Sequence, residues 1–133
     1  MATPGAPTRM VRASDLRDWV RWLSAHYDPA QDSPQNTEIR LLGRTLEELG
    51  RNAGAIGSSF ATHGTATVVA GGAGACLLDS FDWEQGEIEV SQPHLLRNRL
   101  GSPDPEAFIT RLVAVTGIPE RLPEEPPEPE YVV

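Results

Sequence analysis

The chain has 133 residues, enough for one domain with a modest core, and a net charge of −8 with no lysine among its basic residues. That balance repels phosphate backbones and argues against nucleic-acid binding, and no apolar run is long enough to span a membrane. With a single cysteine, Cys76, an intramolecular disulfide is impossible and a zinc set cannot be written, so a reducing, cytoplasmic setting is expected.

From Met1 to Ala13 there are prolines and arginines without apolar periodicity, which reads as a flexible arm. Ser14 then offers an N-cap, Asp15 and Asp18 suit the positive end of a helix, and Leu16, Trp19, Val20, Leu23 and Tyr27 follow helical spacing as far as Asp28-Pro29. His26 sits at the end of this helix, where a cation suits the dipole. A second helix is expected to about residue 61, with Ser33 as N-cap, Pro34 at the first helical position, and Ile39, Leu42, Leu46, Leu49, Ala53, Ile56 and Phe60 forming one apolar stripe. A stripe of that length also suits a seam between two copies, so a homo-oligomer is expected.

The segment Gly64 to Leu78 reads in two ways. Thr65, Thr67, Val68 and Val69 favour a strand, and Gly71, Gly72 and Gly74 weaken a helix, whereas close packing against neighbours would favour a Gly/Ala-rich helix. Asp79, Asp82, Glu84, Glu87 and Glu89 follow as an acidic strip without calcium-loop spacing. Glu87 to Val90 alternates like a short strand, and Pro93 to Leu100 suits a helical turn. A last helix is expected from Pro105 to Thr116, introduced by Ser102-Pro103-Asp104 and stopped by Gly117. From Pro119 to Val133 five glutamates face only Arg121, a net of −4, in a Pro/Glu-rich stretch that reads as a disordered tail. The chain is therefore expected to be a helical domain over 14–118 with an arm and a tail, or else an α+β domain with a small hairpin or meander at 65–91.

Trp22-Leu23-Ser24-Ala25-His26, a short loop, and Ile39-Arg40-Leu41-Leu42 through Thr45-Leu46-Glu47-Glu48-Leu49-Gly50 resemble the opening of the MazG-like all-α nucleotide pyrophosphohydrolases. The resemblance implies a mainly α, MazG-like bundle with a Gly/Ala-rich third helix. In that family, glutamates of the second helix and an E-x-x-D element of the third hold the magnesium that bridges a triphosphate, because hard cations take carboxylate oxygens. Glu47 and Glu48 match the pattern. Arg51 stands where the next family glutamate would be, and Gly64 and Thr67 stand in place of the glutamate and aspartate of the third helix. A guanidinium among the ligands repels a cation and cannot lose its proton.

The expectation is thus a repurposed MazG-like protein with no metal and no cofactor, binding a small molecule, peptide or protein partner beside Glu48, Arg51 and Arg44. Within that reading, His63 with Glu47 and Glu48 could instead catalyse a metal-free reaction. One alternative is a magnesium-dependent pyrophosphohydrolase with displaced ligands Glu47, Glu48, Asp79 and Asp82. Another is an acidic adaptor or immunity-type protein.

Overall fold

The computed structural model describes residues 8–28, 30–57, 76–97 and 104–121. Within them the chain runs β1 (Thr8–Arg12), α1 (Ala13–His26), α2 (Pro34–Asn52), β2 (Ile56–Gly57), β3 (Cys76–Leu77), β4 (Glu87–Ser91), α3 (Gln92–Arg97) and α4 (Pro105–Thr116). The domain is mainly helical, with two small antiparallel pairs, β1 with β4 and β2 with β3.

The first departure from the sequence reading is at the N-terminus, where Thr8–Arg12, expected within a loose arm, forms β1. It pairs with β4 in the register Arg9 to Val90 and Val11 to Ile88, so Val11, Ile88 and Val90 are buried on the inner face. The strand passes directly into α1. Arg12, not Ser14, therefore occupies the N-cap and supplies no side-chain cap, while Ser14 is buried inside the first turn.

Leu16, Trp19, Val20 and Leu23 of α1 pack against Ile39, Leu42, Leu46 and Leu49 of α2 and Phe108, Ile109 and Leu112 of α4 in one core. The turn between α1 and α2 is tied by Asn36. Its Nδ2 donates to the carbonyls of Asp28 at 2.8 Å and Gln31 at 2.9 Å, and its Oδ1 accepts from Asp28 N at 3.0 Å. The cap is the expected one, since Ser33 Oγ accepts from Asn36 N.

Helix α2 ends at Asn52, well short of 61. Gly54 adopts φ 77°, with Gly54 N donating to Arg51 O at 3.1 Å and Ala55 N to Gly50 O at 2.8 Å, the paired bonds of a Schellman stop. Ile56 thus belongs to β2 and not to the helix; Phe60 lies outside the described residues. Ile39, Leu42, Leu46 and Leu49 are buried within the single chain, so the stripe on α2 faces its own core and no longer argues for a seam between copies.

Of the expected third helix, residues 64–75 lie outside the described residues. Cys76–Leu77, at its expected end, is a strand antiparallel to Ile56–Gly57. Helix α4 has the expected bounds, with Asp104 Oδ1 accepting from Glu106 N and Gly117 at φ 71°.

The chain does not leave the domain at residue 118. Trp19 Nε1 donates to Ile118 O at 2.9 Å, Arg121 N donates to Asp15 Oδ2 at 3.1 Å, and Arg9 forms a bidentate pair with Glu120. Glu120 and Arg121, expected in the tail, are strapped across the start of α1. Among the described residues no helix is long and apolar enough to cross a membrane.

Candidate functional site

The carboxylates singled out in the sequence do not share one surface. Consecutive positions on a helix point about 100° apart, and α2 turns Glu47 inward while Glu48 stays half-buried. Glu47 is only 2% exposed. Gly43, one turn before it, and Gly50, one turn after it, are buried on the same helix.

Its Oε1 has no hydrogen-bond partner among the described residues. Loss of water around the charged form raises its pKa to about 7, against the opposing pull of Arg51 at i+4 and Arg44 at i−3. Both arginines are exposed on the flanks of the same helix. Arg51 therefore acts on Glu47 electrostatically. The cluster combines a buried acid that titrates near neutrality with two fixed cations; His63 lies outside the described residues.

Asp79 and Asp82 are exposed beyond β3. Asp82 organises its own loop, its Oδ1 accepting from Glu84 N at 3.2 Å and Gln85 N at 3.0 Å while its carbonyl accepts from Gly86 N at 2.7 Å. Among the described residues no three His, Cys, Asp or Glu side chains are grouped to hold a metal ion. A magnesium ion asks for several carboxylate oxygens around one point. Glu47, Glu48, Asp79 and Asp82 as placed do not fit that requirement: one is buried between arginines and another is taken up by its loop.

A second charged cluster was not anticipated from the sequence. Asp15, 1% exposed, accepts from Arg121 N through Oδ2, and Arg121 also reaches Asp18 at 2.8 Å. Burial raises the pKa of Asp15, partly offset by the bond from Arg121. Arg9 joins Glu120 and Glu106, each at 2.6 Å. Between β1 and residues 120–121 runs a groove of about 210 Å3, lined by Arg9, Met10, Val11 and Arg12 on the strand side. The signal of this cluster in the sequence was the pair Asp15 and Asp18, acids at the start of a helix; Arg121, which joins them, lies about a hundred positions away.

At the other end of α1, His26 stacks on Trp22 with ring centroids 3.8 Å apart, and its Nδ1 donates to Trp22 O at 2.8 Å. The histidine thus caps the helix end, as its position implied. Compared with protein-family models, with curated proteins and with solved structures, the chain matches none.

Proposed function

We propose that this chain is a binding domain: a repurposed MazG-like helical protein without metal-dependent nucleotide chemistry, in which Glu47, beside Arg44, Glu48 and Arg51, is a protonatable contact for a ligand, peptide or protein partner. The likeness to that family rests on the α1–α2 hairpin. The observation that supports the reading best is the state of Glu47, 2% exposed, with one oxygen unpartnered and a pKa of about 7.

An acid that keeps its proton close to neutrality, flanked by two guanidiniums, is a poor magnesium ligand. The same group can donate a hydrogen bond when protonated and accept two or more when ionised, which suits recognition of a polar partner. A second reading has support from the same pKa, since a carboxyl poised near pH 7 is suited to general acid–base catalysis of a metal-free reaction. We place the protein in a reducing, cytoplasmic setting on its single cysteine.

The test is pyrophosphate release from a panel of nucleoside triphosphates with magnesium or manganese, alongside calorimetric titration of each metal. No turnover and no saturable heat are expected. Metal-dependent turnover that disappears in Glu48→Gln would overturn the proposal.

A further inference from the structure

The outer edge of β1 is the most distinctive surface the proposed function leaves unused. Its hydrogen-bonding phase follows from two observations. Residues facing each other across β1 and β4 run from Thr8 opposite Ser91 to Arg12 opposite Glu87, and the next pair in that register, Ala13 with Gly86, is joined by Ala13 N donating to Gly86 O at 2.9 Å. In an antiparallel pair, bonded and non-bonded positions alternate. Val11 and Arg9 therefore direct their backbone groups toward β4, and Thr8, Met10 and Arg12 direct theirs away from it. Among the described residues no backbone group bonds Met10 on that outer side.

The side chains sort by the same alternation. Val11 is buried, while Met10 is 50% exposed, the one large hydrophobic side chain left so open among the described residues. Met10 and Arg12 share the solvent face with Glu89 and Glu87 directly across from them. The groove beside the strand has Glu120 and Arg121 as its far wall.

We infer that the outer edge of β1 is a docking site for an extended segment of a partner protein that adds as a third strand, pairing its backbone with Met10. Its side chains on the solvent face are an apolar residue beside Met10 and an acidic residue beside Arg12. The acid completes a row of alternating charge, Glu87, Arg12, partner carboxylate, and opposite charges on neighbouring strands attract. Main-chain bonds supply affinity and the two side-chain positions supply selectivity, the division of labour in strand addition. An arginine on an open edge discourages pairing with an arbitrary apolar strand and admits an acidic one. The inference does not depend on Glu47, which lies on α2.

The experiment uses the full chain, 15N-labelled, with a terminally blocked peptide of alternating valine and threonine in which one glutamate falls two positions from the residue facing Met10. In the free protein the Met10 amide should exchange with solvent much faster than those of Arg9 and Val11. Saturable binding should protect it, should be lost when the peptide amide facing β1 is N-methylated, and should weaken about fivefold in Arg12→Glu. Met10→Pro removes the outward N–H at an edge position that tolerates proline and should abolish binding with the tryptophan circular dichroism retained. N-methylation tests the same bond without altering the protein. No saturable binding at millimolar peptide, or binding indifferent to N-methylation, would overturn the proposal. A Met10 amide already protected in the free chain would also overturn it: concentration-dependent protection would assign the edge to a second copy, and concentration-independent protection to the chain's own residues.

Discussion

Gly50 and Ile56 meet so closely at the end of α2 that a Cβ on Gly50 would stand 2.7 Å from Ile56 Cγ1. Ile56 is buried, so it has little room to withdraw. Alanine in place of glycine within a helix gains about 1 kcal/mol, whereas forcing an extra methyl into a packed core costs about 1–3 kcal/mol. Gly50→Ala should therefore lower stability, by up to about 2 kcal/mol. A urea midpoint equal to or above that of the parent would show that β2 is not pressed on the helix.

Trp19 and Ile118 are joined across 99 positions of sequence by one bond from the indole N–H. Trp19→Phe removes that donor and leaves a space beside the strap, at a cost of about 1–3 kcal/mol. Arg121→Ala should cost less than about 1 kcal/mol, because its guanidinium is half-exposed and its backbone N–H still reaches Asp15. Equal losses for the two variants in chemical denaturation would contradict this ranking.

Asn36→Ala deprives the loop between α1 and α2 of three bonds at once, leaving the carbonyls of Asp28 and Gln31 without their amide partner. A loss of about 2–4 kcal/mol is expected. A loss under about 0.5 kcal/mol would mean that water replaces the side chain at no cost.

Glu47 has a folded-state pKa of about 7 against an ordinary value of 4.5. Between those values the folded chain holds a proton that the unfolded chain has released. The contribution of Glu47 is therefore most favourable below about pH 4.5, declines as the pH rises toward 7, and levels off above it, a total change of roughly 3 kcal/mol. Glu47→Gln removes this dependence, so parent and variant should have similar stability near pH 4 and the variant should be the more stable at pH 8. Parallel curves across the range would place the carboxyl in water.

Local signals in the sequence carried the starts of α2 and α4, whereas α1 begins where β1 ends and not at the Ser14 signal. Ser33-Pro34 and Asp104-Pro105 cap and open α2 and α4 as their chemistry requires, and Gly117 ends α4. The end of α2 was hidden because Ala53, Ile56 and Phe60 continue the three-four spacing past Gly54, and periodicity outweighed a single glycine whose positive φ is the actual stop. Strand β1 escaped notice because two apolar residues among arginines form no pattern by themselves; the strand exists through β4, nearly eighty positions away. Of the candidate site, Glu47 was singled out by the resemblance of Glu47-Glu48 to a family motif, but adjacency to Glu48 suggested a shared surface that a helix does not provide. The contrast between them arises from packing: one carboxyl is turned to the interior and the next is not.

The measurement closest to the central claim is the pH titration of the Glu47 side-chain carboxyl by 13C NMR, run with and without millimolar magnesium. A buried acid that serves as a proton-exchanging contact and not as a metal ligand should titrate near pH 7 in both samples. A midpoint near 7 that magnesium leaves unchanged is the result expected. A midpoint driven down into the ordinary carboxylate range by magnesium would contradict the account, because only a cation held against Glu47 would favour its charged form in that way.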